Sequence, residues 1–119
     1  MNLILKDFIL IINEQKDNYI DYDIYKKNEK IGILQTVNNK EYTFIRQVHI
    51  FDEYQRNGYA TLLFENLIDI SNKNIRLCIA TNSNSAIHFW NNFLMKHLNF
   101  HIKGHIYELI VKKERLLCQ

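Results

Sequence analysis

The spacing of apolar residues changes near residue 52, where the first helical period begins, and this change limits the folds that the sequence can adopt. Before it, from Phe8 to Phe51, four runs are rich in Ile, Tyr, Val and Phe: FILII, YIDYDIY, KIGILQTV and EYTFIRQVHIF. The polar connectors between them, NEQKDN, KKNE and NNK, have lengths typical of hairpin loops. This half of the sequence predicts an antiparallel meander of four strands.

After residue 52 the apolar residues recur every three or four positions, which is the period of an α-helix. The first such stretch contains Tyr59, Leu62, Leu63, Leu67 and Ile70, and the second contains Ala86, Phe89, Trp90, Phe93, Leu94 and Leu98. Between them NIRLCIA predicts a short buried strand, and TNSNS supplies capping side chains for the second helix. The later segment HIYELIVKK predicts a strand, or the second arm of a hairpin whose turn lies near Gly104.

The order strand, helix, strand predicts a parallel pair joined by a right-handed crossover. Together with the antiparallel meander, this pair gives a mixed sheet in an α/β (α+β) fold. The length of 119 residues is about that of one compact domain, and the composition, 47% hydrophobic and 24% charged, is that of a folded globular chain. We therefore predict a single domain over residues 1–119.

Charge and cysteine content exclude several functional classes. The net charge of +2 gives no strong electrostatic reason to bind nucleic acid or a membrane surface. Lys6 and Asp7 divide the apolar N-terminal stretch into pieces too short to span a bilayer, and two cysteines suit a reducing compartment, so we expect a cytoplasmic protein. The repeat of His97, His101 and His105 crosses the expected end of a helix, so we expect solvated side chains and no metal site.

Gly58 follows a predicted strand and a polar loop, and it precedes the first predicted helix. At such a position the free N–H groups of the first helical turn and the helix dipole favour an anion, and a glycine lets a phosphate approach the backbone. Arg56 is placed to add a charge-assisted contact. The alternative interpretation is that Gly58 relieves a tight turn, and the spacing alone does not decide between the two.

Two motifs in order resemble the GNAT superfamily of N-acetyltransferases. QRNGYA, from Gln55 to Ala60, resembles the family's Q/R-x-x-G-x-G/A loop, and IFDEYQ before it is similar to the family's VxPEYQ. NSNSAIHFWNNF is similar to the segment NxxAxxFY that opens the next helix in the family. The resemblance implies a GNAT-like domain with a mostly antiparallel sheet, a parallel central pair splayed for coenzyme A, and two main flanking helices.

The resemblance also implies that acetyl-CoA is the co-substrate and that its pyrophosphate meets the loop. The residues implied there are Gln55, Arg56, Asn57, Gly58, Tyr59 and Ala60. Main-chain groups of Val48 and Ile50 would pair with the pantetheine arm. Asn84 would either reach that arm by its side chain or cap the second helix.

The catalytic groups are less clearly indicated. Many relatives carry Glu or His on this strand where Phe44, Arg46 and Phe51 stand here, so the family's carboxylate is not evident. His49, Glu41 and Glu53 remain as candidates for the base, beside a chain of waters. Trp90 stands where the family usually has a tyrosine that acts as the general acid. An indole N–H is no practical proton source, so we expect Trp90 to pack beside the cofactor.

The leading hypothesis is an acetyl-CoA-dependent N-acetyltransferase acting on a primary amine of a protein, peptide terminus, polyamine or other small molecule, as a monomer or homodimer. The alternatives are a catalytically silent relative that binds coenzyme A or a protein partner, and an unrelated α/β binding module. Asp21 and Asp23, which share one face of a predicted strand, would attract a cationic amine or form an ordinary solvated face. The acceptor cannot be identified from these residues.

Overall fold

The computed structural model describes residues 2–78, 100–103 and 106–109. Eight strands are present in these ranges, β1 (Leu3–Ile4), β2 (Ile9–Lys16), β3 (Tyr19–Lys26), β4 (Glu29–Asn38), β5 (Tyr42–Ile50), β6 (Asn74–Cys78), β7 (Phe100–Lys103) and β8 (Ile106–Leu109). One α-helix, α1 (Tyr59–Ile70), lies between β5 and β6 and is preceded by a 3-10 turn, Asp52–Tyr54. The predicted second helix, with Asn84 and Trp90, lies outside the described residues.

All eight strands belong to one sheet with the order β1-β2-β3-β4-β5-β6-β8-β7. Neighbouring strands are antiparallel except for β5 and β6, which are parallel and are connected through α1. The structure therefore confirms the mixed sheet with a parallel central pair. It also confirms the hairpin at the end of the sheet, because β7 and β8 pair as antiparallel strands.

The four-strand meander is confirmed as β2 to β5, with two differences from the prediction. The strand β1 was not predicted, and it pairs with β2 at the edge of the sheet. The connector NEQKDN is mostly strand, because β2 continues to Lys16 and only Asp17 and Asn18 form the turn. In the next hairpin Lys27 and Asn28 both have positive φ, as the tight turns that match strand twist require.

The hydrophobic core lies between α1 and one face of the sheet. Alternation along β3 places Tyr22 and Ile24 in this core and Asp21 and Asp23 on the opposite face. The buried residues of the core are Leu5, Phe8, Leu10, Tyr22, Ile24, Ile31, Leu34, Ile45, Ile50, Leu63, Phe64, Leu67, Ile75 and Leu77. The meander thus separates an apolar face under α1 from a face that carries polar side chains.

The buried face of α1 differs in part from the predicted one. Leu63 and Leu67 are buried as the spacing predicts, but Ile70, in the last turn, is 50% exposed. Phe64 and Asn66 are buried instead. The helix also meets the segment before β2, so that its buried surface is wider than a single apolar stripe.

A buried polar contact fastens the segment before β2 to α1. Asn66 is 3% exposed, and its Oδ1 accepts a hydrogen bond from the Asp7 main-chain N–H at 2.8 Å. Its Nδ2 donates to Asp7 Oδ2 and to the Leu62 carbonyl, both at 2.9 Å. Asn66 therefore satisfies polar groups that would otherwise be buried without partners. As a separate observation, α1 and the rest of the described chain include no helix with the length and apolar character that a membrane crossing needs.

We predict that Asn66→Ala lowers the free energy of unfolding by roughly 1–3 kcal/mol, because the Asp7 N–H and carboxylate lose their buried partner. Urea unfolding followed by circular dichroism measures the change. Asn72→Ala is the matched control at an exposed position just after α1, and it should change stability by less than about 0.5 kcal/mol. Equal losses in the two variants would contradict the structural role of Asn66.

Candidate functional site

The direction of the main-chain groups at the end of β5 is fixed by its pairing with β4. The Phe51 N–H donates to the Ile31 carbonyl at 2.8 Å, so this group is directed toward β4. Successive residues of a strand direct their main-chain groups to opposite sides. The N–H and C=O groups of Val48 and Ile50 are therefore directed away from β4, toward the side on which β6 lies.

In the residues that the structure describes, the parallel pairing of β5 with β6 involves the first part of β5. It runs from Tyr42–Asn74 to Ile45–Leu77, while β5 continues to Ile50. The pairing with β4 shifts register at the same place, since Gln35 pairs with Gln47 and Thr36 with Ile45, which leaves Arg46 as an extra residue. Such a bulge increases the local twist of a strand. From Gln47 to Ile50, β5 continues in its antiparallel pairing with β4.

The β5–α1 loop, residues 51–58, is held in shape by its own side chains. Gln55 Nε2 donates to the Ile50 carbonyl at 2.8 Å and to Asp52 Oδ1 at 3.2 Å. Asn57 Nδ2 donates to the Tyr54 carbonyl at 3.0 Å. The amides of Gln55 and Asn57 thus face into the loop, so that a ligand approaching this loop meets mainly its backbone and Arg56.

Gly58 is the N-cap of α1 and has a left-handed backbone, φ 74° and ψ 14°. This conformation alone favours glycine, as the turn interpretation expects. The surroundings also agree with the anion interpretation, because a Cβ built on Gly58 would meet no atom within 4 Å. No side chain caps the helix, and no acidic residue lies in its first turn. The first turn of α1 therefore has neither a side-chain cap nor a competing carboxylate, and the space beside the Gly58 Cα is open.

A pocket of about 230 Å³ lies over this helix start. It is lined by Ile50, Tyr54, Gln55, Arg56, Gly58, Tyr59, Ala60 and Thr61. Five of the residues that the sequence motif indicated are thus brought around one cavity, together with Ile50. Asn57 does not line it, since its side chain bonds within the loop. Thr61 lines it and was not anticipated, although its place three residues after the glycine is a sequence signal for the first turn.

Tyr54 connects this loop to the β3–β4 hairpin. Its hydroxyl donates to Glu29 Oε2 at 2.7 Å. The hydrogen bond to the Glu29 carboxylate, followed by smaller contributions from desolvation and nearby charges, raises the pKa of Tyr54 to about 12. The phenol therefore remains protonated and the connection persists over the whole physiological pH range.

The candidate bases lie at different places. His49 is exposed on the sheet face opposite the core, between Val48 and Ile50, and its ring meets the edge of Phe51 at a centroid distance of 5.8 Å. Glu41 is exposed before the start of β5, at the opposite end of that strand from the loop. Glu53 is exposed in the 3-10 turn. Of the three, only His49 adjoins the main-chain groups of Val48 and Ile50.

Gly32 was not singled out from the sequence, yet it shapes the same strand end. It pairs with Ile50, and a Cβ at Gly32 would overlap the His49 carbonyl. A glycine inside a run of β-branched residues often marks such a close approach, so the sequence did contain a signal for the role of Gly32.

Among the described residues, no group of three or more His, Cys, Asp or Glu side chains is arranged to hold a metal ion.

The profile of the acetyltransferase (GNAT) family matches residues 4–94 of this sequence. No curated protein sequence matches the chain at a significant level. The family match covers the whole meander, the β5–α1 loop, α1 and β6.

Solved structures share the fold. A GNAT-family acetyltransferase from Bacteroides thetaiotaomicron is 13% identical with a TM-score of 0.64, and the similarity covers 88% of this chain and 70% of that chain. The Escherichia coli ribosomal-protein-S18-alanine N-acetyltransferase is 17% identical with a TM-score of 0.62, covering 80% and 70%. A GNAT acetyltransferase from Elizabethkingia anophelis, with acetyl-CoA bound, is 17% identical with a TM-score of 0.58, covering 73% and 57%. The chain therefore spans less than two thirds of that last protein.

We predict that Glu29→Gln lowers the pKa of Tyr54 from about 12 toward its ordinary value of 10.0, because the phenol loses its carboxylate acceptor. Titration of the Tyr54 ring carbon by NMR measures the change. Since a raised pKa favours the protonated phenol in the folded state, this contribution to stability is complete below pH 10 and is lost as the pH rises through about 12. Glu53→Gln is the control, and an equal effect of both substitutions would contradict the specific bond to Glu29.

Proposed function

Because the chain belongs to the acetyltransferase (GNAT) family, we propose that it transfers an acetyl group from acetyl-CoA to a primary amine. The observation that carries this proposal is the open helix start at Gly58, which lies at the end of the strand that would hold the pantetheine arm. The E. anophelis relative has acetyl-CoA bound and the E. coli relative is named as an alanine N-acetyltransferase, which supports the same co-substrate and acceptor chemistry for this chain.

The pyrophosphate of acetyl-CoA would be held by the backbone from Arg56 to Ala60. Supporting this assignment, the first turn of α1 has no side-chain cap and no acidic residue, and the pocket above it has room for a ligand group. Arg56 is exposed at the same loop and would add a charge-assisted contact. Gln55 and Asn57 would act by keeping the loop in shape, because their amides are already bonded within it.

The pantetheine arm would lie along β5 as an added strand. The N–H and C=O groups of Val48 are directed away from β4, as is the N–H of Ile50, while the Ile50 carbonyl already accepts the bond from Gln55. The amide groups of pantetheine match this pattern of donors and acceptors. Asn84 would reach the arm or cap the second helix, and both roles stay open.

Acetyl transfer requires that the amine lose a proton, because an alkyl amine has a pKa of about 10.4 and is mostly protonated at neutral pH. The neutral nitrogen forms a bond to the thioester carbonyl carbon and becomes cationic, while the carbonyl π electrons move to the oxygen. When these electrons return, the C–S bond breaks and the thiolate leaves, and the nitrogen gives its second proton to water to become the neutral amide nitrogen. We assign the base to His49, which adjoins Val48 and Ile50 and is open to solvent. A main-chain N–H near Val48 would stabilise the oxyanion. Trp90 would pack beside the cofactor, and the thiolate would take a proton from water.

The alternative is a catalytically silent relative that binds coenzyme A or a protein partner. It is favoured by Phe44 and Trp90, which stand where many relatives have a carboxylate and a tyrosine. For either function we propose a cytoplasmic, single-domain protein that acts as a monomer or homodimer. The two functions differ in turnover and not in binding, so that a binding test and a kinetic test are both needed.

We predict that acetyl-CoA raises the melting temperature of the protein and that Gly58→Glu abolishes this shift. A glutamate side chain would occupy the open space over the helix start and would repel the pyrophosphate. Differential scanning fluorimetry with increasing acetyl-CoA is the measurement. Asn18→Glu adds the same charge at an exposed turn at the opposite end of the meander and should keep the full shift. An unchanged shift in Gly58→Glu would remove this loop from the cofactor site.

We predict that His49→Gln lowers kcat/KM for the amine by about 10²-fold or more, since glutamine cannot accept the proton. Its thermal shift with acetyl-CoA should be retained. Thiol release with acetyl-CoA and an amine acceptor is the assay. Gln47→Ala is the control at an exposed neighbouring residue of β5. A change of less than about threefold in His49→Gln would assign the proton transfer to water.

A further inference from the structure

One ion pair on the polar face of the sheet has the composition of an ammonium-binding site. Lys30 Nζ lies 3.2 Å from Asp23 Oδ1. That carboxylate oxygen is buried and has no hydrogen-bond partner among the described residues, so the Lys30 ammonium is the compensating charge that the structure gives it. The same ammonium lies 6.0 Å from the centroid of the Phe51 ring, within the range of a cation–π contact.

The two partners of this pair differ in freedom. The Asp23 side chain is 17% exposed and belongs to the middle of the sheet, whereas the Lys30 side chain is 40% exposed near the β3–β4 turn. Lys30 can therefore move its ammonium into solvent by side-chain rotation, while Asp23 stays in place. A carboxylate left in this position needs a replacement cation, because a buried charge without a partner is costly.

The pair lies on the same sheet face as His49. In the register of the sheet, Asp23 pairs with Ile33 and Ile33 pairs with His49, so the three residues form a row across β3, β4 and β5. Two strand spacings separate the backbones of Asp23 and His49, about 10 Å. His49 also contacts Phe51, the ring that faces the Lys30 ammonium. A molecule lying along this row would reach both the Asp23 carboxylate and His49.

We infer that Asp23 and Phe51 form a subsite for the second, protonated amino group of a diamine or polyamine acceptor, and that Lys30 occupies this subsite when no acceptor is bound. This inference rests on the proposed acetyl transfer. The ammonium held by Asp23 is protonated and is not the nucleophile; the other amino group of the same molecule reacts beside His49. Lys30 acts as an internal competitor, because its own side chain ends in the same primary ammonium as the acceptor.

The neighbouring acidic residues fit this role less well. Asp21 and Glu14 line a different pocket, of about 180 Å³, together with Lys16 and Arg46. Two cationic side chains beside two carboxylates leave little net attraction for an added cation. Asp23 differs in having a single counterion, Lys30, whose half-exposed side chain can rotate into solvent, so we place the subsite at Asp23.

The inference is tested with 1,6-diaminohexane and n-hexylamine, acceptors that match in length and differ in the second ammonium. Asp23→Asn should raise KM for the diamine about tenfold or more and leave KM for n-hexylamine and acetyl-CoA unchanged, since a charge-assisted contact is lost. Lys30→Met should lower KM for the diamine alone, because the competitor is removed. Asp17→Asn and Lys40→Met make the same chemical changes at exposed positions and should have no effect. Equal effects on both amines, or none, would overturn the inference.

A binding measurement separates this inference from the proposed function. Titration of 1,6-diaminohexane without acetyl-CoA, followed by NMR shifts of the Asp23 and His49 amides, should give tighter binding in Lys30→Met than in the wild type. Binding should be weak in Asp23→Asn and in the double variant that combines Asp23→Asn with Lys30→Met. The double variant removes both members of the ion pair, so that no unpaired Lys30 ammonium is left that could disturb folding. If no variant transfers acetyl groups but this order of affinities holds, the proposed function fails and the subsite stands. If the order is absent, the subsite fails whatever the turnover.

Discussion

The hydrogen bond from the Phe51 N–H to the Ile31 carbonyl sets the geometry on which the rest of the site depends. This hydrogen bond lies just after the last residue of β5 and is the end of its pairing with β4. It fixes the side to which each main-chain group at the end of β5 is directed. Gly32 permits the close approach of the two strands there, because a larger residue would overlap the His49 carbonyl. A small displacement at this point would turn the Val48 and Ile50 main-chain groups away from the side on which β6 lies, and it would move the start of α1.

The β5–α1 loop fixes the position of the start of α1 relative to the end of β5. Gln55 bonds back to the Ile50 carbonyl, Tyr54 bonds to Glu29 of the neighbouring hairpin, and Gly58 supplies the left-handed residue that begins α1. These contacts use side chains to hold the loop and leave the backbone at the helix start open. The pyrophosphate contact proposed for this site would rely mainly on main-chain N–H groups, so that few charged residues would be needed, which agrees with the small net charge of the chain.

The two faces of the sheet have separate roles. One face packs on α1, and the buried contact between Asn66 and Asp7 fastens the N-terminal segment over the same helix. The opposite face carries Asp23, Lys30 and His49, which are not needed for that core. Because side chains alternate along a strand, each strand contributes to both roles at once. The proposed acceptor subsite would therefore combine groups from β3, β4 and β5.

For the strands β2 to β8 and for α1, the sequence by itself determined the element type, the mixed sheet and the position of the loop, since periodicities of two and of three to four residues and the glycine at the loop are local signals. It indicated Gly58 and Ala60 without deciding between a turn and an anion site. It missed β1, because two residues are too short for a period to appear, and it missed the burial of Phe64 and Asn66, which depends on the segment that packs on α1. Only the tertiary structure decided that His49 lies in one row with Ile33 and Asp23, and that Lys30 meets Asp23. Contacts of this kind depend on strand register and bulges, which place distant residues side by side and leave no pattern in the local sequence.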